Sequence, residues 1–125
     1  MMTDWQEFKG GEHKTRYKFP RVTMSKSGEI RFGRRALEVL DRPRAVTLYF
    51  DVSRSCIGVK PVTPSETSFE MVRREDTSLY AYVRGSSFCK HYGIKPEASI
   101  EFVDVEMDAD GIMVLDLKTA RRLRR

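Results

Sequence analysis

Short alternations of apolar and polar residues recur along the chain, and such alternations predict half-buried β-strands. In the first half they occupy Pro20–Met24, Glu29–Phe32, Val46–Asp51 and Cys56–Lys60. Between the second and third runs, the apolar residues from Arg34 to Leu40 are spaced by three and four, as in a helix of barely two turns. The first half therefore predicts two strands, a short helix and a hairpin.

The same order of elements recurs after a proline-containing connector, residues 61–67. Strand patterns occupy Phe69–Val72, Leu79–Val83, Ile100–Val105 and Ile112–Leu117, and a helical pattern covers Ser86–Tyr92. Ser86 is a candidate N-cap for that helix. Gly33 aligns with Gly85 and Pro43 with Pro96, so the sequence predicts an internal duplication. A coincidence between two similar patterns is the alternative interpretation.

A β-α-β-β unit of this size cannot bury its helix and its hairpin alone, whereas two interlocked units can close a barrel and remove exposed edges. We therefore predict a mainly β fold with a minor α+β character. Its duplicated β-α-β-β units would form an intrachain pseudo-dimeric barrel, of the swapped-hairpin or double-psi type, with two short helices. The predicted organisation is a flexible N-terminal arm (1–19), one barrel domain (20–117, repeats 20–62 and 68–117) and a basic C-terminal tail (118–125).

The run VTMSKSGEIRFGRRALEVLDRPRAVTLYFDVSRSCIGVKP, residues 22–61, resembles the AbrB-type swapped-hairpin unit. Two units in one chain are similar to the tandem arrangement of MraZ-like proteins. Both halves, with IGVKPV in the first and YVRGSSFCKHYGI in the second, also look like bacterial and mobile-element proteins of unassigned role. The resemblance implies duplex DNA binding and a role in transcription regulation.

The positions that bind DNA in the AbrB type differ in this chain. There, arginines follow the turn glycine and recur within the helix; here Glu29 follows Gly28, and Leu37 and Glu38 stand at the helical positions. Gly33 replaces the proline that usually opens the helix, and the Asp-to-Arg motif of MraZ-like repeats is not found. Arg31, Arg34 and Arg35 lie nearby but at different positions, so they could bind DNA only by analogy with the AbrB-type arginines.

The charge distribution favours a polyanionic partner. The net charge is +5, but residues 1–44 carry +5, residues 45–117 carry −5, and residues 118–125 hold five basic residues and no acid. Such asymmetry is a hint of nucleic-acid binding and is independent of fold. No apolar run reaches the length of a membrane span and no signal-peptide core begins the sequence, so we expect a cytoplasmic protein without membrane contact.

Two basic clusters supply the candidate nucleic-acid-binding residues, because arginine binds phosphate oxygens bidentately. They are Lys26, Arg31, Arg34, Arg35, Arg121, Arg122, Arg124 and Arg125. The first cluster is alternatively a solvated turn and helix face, and the second a flexible solubilising end. Tyr80, Tyr82, Phe88 and Tyr92 could stack on single-stranded bases, or could belong to the core and rim of the second half.

Catalytic and metal-binding patterns do not stand out. There is no P-loop, GxSxG, HExxH or GxGxxG motif. Cys56 and Cys89 are expected to be buried reduced thiols, although a disulfide stays open. His91 beside Cys89 has no orienting acid nearby in sequence, and the run 108–111 predicts a hairpin turn rather than a calcium loop.

The sequence thus predicts a small non-enzymatic DNA-binding regulator that contacts phosphates through the first repeat and the tail. It predicts no cofactor, metal or small-molecule substrate. The alternative is a protein-interaction or assembly module, homodimeric or paired with a toxin or phage component, without direct DNA binding.

Overall fold

The computed structural model describes residues 20–73 and 80–123, so the predicted arm, residues 1–19, lies outside the described residues. The first half contains β1 (Val22–Met24), β2 (Glu29–Gly33), α1 (Arg34–Val39), β3 (Ala45–Asp51) and β4 (Cys56–Val62). The rest contains β5 (Phe69–Glu70), β6 (Val72–Arg73), β7 (Tyr80–Arg84), α2 (Ser86–Tyr92), β8 (Ile100–Phe102), β9 (Glu106–Met107), β10 (Met113–Asp116) and β11 (Arg121–Arg122). The mainly β character with two short helices is confirmed for the described residues.

The strands form two antiparallel sheets, and each sheet combines strands from both halves of the chain. The six-stranded sheet has the order β11-β8-β1-β2-β7-β6, and the five-stranded sheet has the order β5-β3-β4-β10-β9. The second half therefore supplies neighbours to the first half in both sheets, and neither half forms a sheet alone.

The prediction of one closed barrel is wrong, because the strands form two sheets and the chain changes sheet within two of the predicted strands. The predicted strand Phe69–Val72 is divided between the sheets, and the predicted strand Ile100–Val105 ends at Phe102, before β9 begins in the other sheet. Met71 separates β5, which pairs with β3, from β6, which pairs with β7. Asp104, with a φ of 55°, lies between β8 in the six-stranded sheet and β9 in the five-stranded sheet. The chain thus turns from one sheet to the other at two corners, as in packed sheets whose strands switch partners.

One hydrophobic core lies between the two sheets. The six-stranded sheet contributes side chains such as Ile30, Phe32 and Val83, which are fully buried, and the five-stranded sheet contributes Ile57 and Leu115. Apolar residues of both helices join the same core: Ala36, Leu37, Phe88 and Cys89. Since each helix is under two turns long, its stability depends on this packing.

The two halves also meet where the β1–β2 turn reaches the start of α2. The Gly85 amide donates to the Gly28 carbonyl oxygen over 3.0 Å, and the Gly85 carbonyl accepts the first helical hydrogen bond, from Cys89. Gly85 therefore occupies the N-cap position, and the prediction of Ser86 as N-cap is wrong by one residue. Gly28 has a φ of 97°, and a Cβ there would lie 2.9 Å from the Ser86 Cα, so only glycine fits this contact.

Both cysteines are buried and free, which confirms the expectation of reduced thiols. The Cys89 sulfur lies 3.9 Å from the Met24 sulfur, and burial raises the pKa of the Cys89 thiol.

The 108–111 run is the predicted hairpin turn: the Asp108 carboxylate accepts hydrogen bonds from the backbone amides of Asp110 and Ile112 at 2.8 and 2.9 Å. Across residues 20–73 and 80–123, no helix has the length and apolar character needed to cross a bilayer.

Replacing Phe32 by alanine is expected to lower the free energy of unfolding by about 3–5 kcal/mol, because the ring is fully buried on the core face of β2. Urea denaturation followed by circular dichroism measures the loss. Val52→Ala is the control; this side chain is 70% exposed, and its loss should change stability by less than about 0.5 kcal/mol. Equal effects of the two variants would contradict the proposed position of the core.

Gly28→Ala is expected to destabilise the fold more than Gly111→Ala does. Both glycines have positive φ, at 97° and 80°, but a Cβ at Gly111 meets no atom within 4 Å. The conformational strain alone should cost about 1–2 kcal/mol at Gly111. At Gly28 the clash with the α2 backbone should add at least about 1 kcal/mol. Equal losses in urea denaturation would mean that the β1–β2 turn does not press on α2.

Candidate nucleic-acid interface

The outer face of the six-stranded sheet carries one continuous row of paired residues. Alternation along β2 buries Ile30 and Phe32 and exposes Arg31, which pairs with Thr23 on one side and Tyr82 on the other. Directly paired residues of antiparallel strands point to the same face. The full row, from edge to edge, is Arg121, Glu101, Thr23, Arg31, Tyr82 and Val72.

Two arginines on this face lie over tyrosine rings. The Arg31 Cζ is 6.0 Å from the centroid of the Tyr80 ring, and the Arg84 Cζ is 5.5 Å from that of Tyr82. Arg84 also donates from Nη2 to the Tyr82 hydroxyl at 3.3 Å, and Arg31 Nε donates to Glu29 Oε1 at 2.7 Å. Strand β7 thus presents Tyr80, Tyr82 and Arg84 to one side, at alternate positions.

Glu101 joins two further arginines to the same face. Its carboxylate lies 3.3 Å from Arg21 Nε and 3.8 Å from Arg121 Nη2. Arg121 reaches this position because β11 pairs with β8 at the sheet edge. The turn before β11 is held by Asp116, which accepts the Lys118 amide at 2.8 Å; this hydrogen bond lowers the pKa of the Asp116 carboxyl.

We call this surface the arginine–tyrosine face and define it by Arg21, Arg31, Arg84, Arg121, Tyr80 and Tyr82, with Glu29, Glu101 and Thr23 between them. Four guanidinium groups against two carboxylates leave the face positively charged. All four arginines are exposed, and both tyrosines are half-buried. Exposed ion pairs contribute about 0–1 kcal/mol, so an incoming phosphate can compete with Glu29 and Glu101 for these cations.

The structure brings only two of the eight predicted residues, Arg31 and Arg121, onto this face. Lys26 lies exposed in the β1–β2 turn, and Arg122 pairs with Ile100, on the opposite side of β11 from Arg121. Arg124 and Arg125 lie outside the described residues. The predicted tail therefore includes a strand of the sheet, formed by its residues 121–122.

Arg34 and Arg35 open helix α1, which packs its apolar residues on the core face of the sheet. Both side chains are exposed, and Arg35 Nη1 lies 3.4 Å from Glu38 Oε1. Arg42 Nη2 lies 3.7 Å from the other oxygen of the same carboxylate. Helix α1 thus lies on the opposite side of the sheet from Arg31, and one carboxylate, that of Glu38, pairs with both Arg35 and Arg42.

Sequence reasoning missed Arg21 and Arg84 as members of the face. Arg21 stands two residues before Thr23, and Arg84 stands two residues after Tyr82. The period-two alternation of the strands therefore predicts that both arginines lie on this face. The four aromatic residues considered together in the sequence separate into two groups. Phe88 is buried, and Tyr92 packs against it at 5.2 Å between ring centroids, on the helix side of the sheet.

A cavity of about 380 Å³ lies on another part of the surface, between α2 and the ends of β3 and β8. Phe50, Tyr92, Ile100 and Leu117 line it together with Lys95 and Glu97. In the part of the chain that the structure describes, no three His, Cys, Asp or Glu residues come together as a metal site would require. The arginine–tyrosine face, which combines four exposed arginines with two tyrosine rings, is therefore the stronger candidate for a binding site.

Comparison with known proteins gives no match: no family model, no curated protein and no solved structure matches this chain. The resemblance to AbrB-type and MraZ-like proteins therefore stays a prediction. What the chain binds has to be inferred from the chemistry of its own surface.

Arg31→Ala and Arg121→Ala are each expected to change the free energy of unfolding by less than about 1 kcal/mol, because their ion pairs are exposed. Their side chains are 54% and 71% accessible to solvent. Thermal and urea denaturation, with Phe32→Ala as the destabilised reference, measure the effect. A loss of several kcal/mol in either variant would show that the arginines hold the sheet together, and would leave them unsuited as probes of binding.

Proposed function

We propose that this chain is a non-enzymatic DNA-binding protein that contacts phosphates through its arginine–tyrosine face. The observation that carries the proposal is the convergence of four exposed arginines, from β2, β7, β11 and the residue before β1, on one face of one sheet. Guanidinium groups bind phosphate oxygens bidentately, and such charge-assisted hydrogen bonds are about twice as strong as neutral ones.

The spacing of the cations supports contact with several phosphates at once. Arg121 and Arg31 lie in the same row, three strands apart, which places their strands about 14 Å from one another. Arg84 and Arg21 lie in the neighbouring rows. Lys26, Arg34, Arg35, Arg122, Arg124 and Arg125 remain proposed secondary phosphate contacts.

The proposal extends to the architecture implied by the resemblance, a duplicated swapped-hairpin fold. Two pairs of equivalent strands support it: β2 pairs with β7, and β4 pairs with β10, both antiparallel. A two-fold axis between the halves would relate the members of each pair. A regulator of transcription is the role that this architecture favours, since the AbrB type uses it to bind DNA.

Fluorescence anisotropy with labelled 30-nucleotide DNA, both single-stranded and as a duplex, tests the proposal. We expect binding at 50 mM NaCl that weakens steeply as salt rises, because bound phosphates release counterions. Arg31→Ala and Arg121→Ala should each weaken binding by roughly tenfold. Glu101→Gln should strengthen binding several-fold, because it removes the acid between Arg21 and Arg121.

Arg54→Ala is the matched control, since Arg54 is an exposed arginine paired with Asp51 at 3.0 Å in the β3–β4 turn and is not one of the residues that define this face. It should leave the affinity unchanged within about twofold. Absence of binding to any DNA at low salt would overturn the proposal. A loss in Arg54→Ala equal to that in Arg31→Ala would place the interface elsewhere.

A further inference from the structure

From the arginine–tyrosine face we infer that the ligand is a single-stranded nucleic acid, whose bases stack on Tyr80 and Tyr82 while its phosphates contact the surrounding arginines. This inference rests on the proposed function and names the form of nucleic acid that the face fits. It also departs from the duplex implied by the family resemblance.

The width of the sheet argues against insertion into a duplex groove. Six strands spaced about 4.8 Å apart span roughly 24 Å between the outer strands. The major groove is about 12 Å wide and admits a helix or a two-stranded ribbon. A duplex could therefore touch this face only along its outer phosphates, and its bases would stay out of reach of the tyrosines.

The two tyrosines are spaced for bases that are no longer stacked on each other. They stand two residues apart on β7, and side chains at i and i+2 of a strand are separated by about 7 Å. That is about twice the 3.4 Å rise between nucleotides of a duplex strand. Each ring can thus meet a separate base of an extended strand, whereas consecutive bases of a helix would not match both rings.

Arginines already lie against both rings, but their contacts are weaker than base stacking. An exposed cation–π contact contributes about 0.5–1 kcal/mol, whereas stacking of a base on an aromatic side chain contributes about 1–3 kcal/mol. A base can therefore displace Arg31 from Tyr80 or Arg84 from Tyr82, and the freed guanidinium lies within reach of the adjoining phosphate. The same arginine and tyrosine pair then contacts a base and a phosphate.

The half-buried position of the tyrosines agrees with this use. Ala81 and Val83, between and beside them on β7, are fully buried on the core face, so the tyrosine rings are not needed to fill the core. On the outer face they lie among Thr23 and charged side chains instead. Rigid aromatic rings held by a sheet lose little conformational entropy on binding, as in other surfaces that stack single-stranded bases.

The experiment compares fluorescein-labelled (dT)20 with a 20-base-pair duplex at equal salt, using fluorescence anisotropy. We expect (dT)20 to bind at least about tenfold more tightly than the duplex. Tyr80→Ala and Tyr82→Ala should each weaken (dT)20 binding by about 5- to 150-fold, while Tyr80→Phe and Tyr82→Phe stay within about threefold of the parent because the ring is kept. Circular dichroism and thermal denaturation confirm that each variant is folded.

Two further measurements separate stacking from charge. The slope of log K against log salt should be unchanged in Tyr82→Ala, but should fall by about 0.7 in Arg31→Ala, since only the latter loses a phosphate contact. Tyr49→Ala, which removes a 45% exposed tyrosine from the other sheet, should leave the affinity unchanged. Substituting (rU)20 for (dT)20 distinguishes DNA from RNA: a preference for one identifies that nucleic acid as the ligand, and equal binding identifies a face that binds either single strand.

Duplex binding as tight as that of (dT)20, or tyrosine variants that bind (dT)20 like the parent, would overturn this inference. If the arginine variants still lost affinity in that case, the proposed phosphate contacts would stand. Failure of both oligonucleotides to bind at low salt would instead overturn the proposed function itself.

Discussion

The antiparallel pairing of β2 with β7 is the constraint on which the rest of the structure depends. It joins the two halves within the six-stranded sheet, next to the central β1–β2 pair, and sets Arg31 opposite Tyr82. A slip of one residue would turn Ile30 and Phe32 to solvent and Arg31 into the core, so burial of the apolar face fixes the register. The contact between Gly28 and Gly85 holds the adjoining turn and helix at the same junction.

From this junction the chain reaches its second sheet by breaking strands rather than by closing a barrel. Met71 and Asp104 mark the two corners, and at each the pairing partner changes. Both sheets then bury one face in a shared core and leave the other exposed. Among residues 20–73 and 80–123, the side chains on the outer face of the six-stranded sheet are not part of this core, so they can contact a ligand.

The local elements were predictable because period-two and helical spacings are written in consecutive residues, as for Glu29–Phe32 and Ser86–Tyr92. Pairing between distant strands was not, since nothing in the sequence near Arg31 specifies Tyr82 as its neighbour. The sheet corners were missed because Phe69–Val72 and Ile100–Val105 each read as one continuous strand. Strand β11 was missed as well: two basic residues carry no alternation, and their pairing with β8 is a tertiary contact.

The composition of the arginine–tyrosine face is not explained by folding stability. Its ion pairs and cation–π contacts are exposed and contribute about 1 kcal/mol or less each, whereas burial of a single ring such as Phe32 contributes several. Lysine, glutamate and threonine would keep an outer sheet face soluble equally well. Arginine and tyrosine are instead the residues that bind planar, charged and aromatic groups with little loss of entropy. Because the fold gains so little from placing them there, their chemistry is better explained by a ligand that has phosphates and bases within reach of the same face.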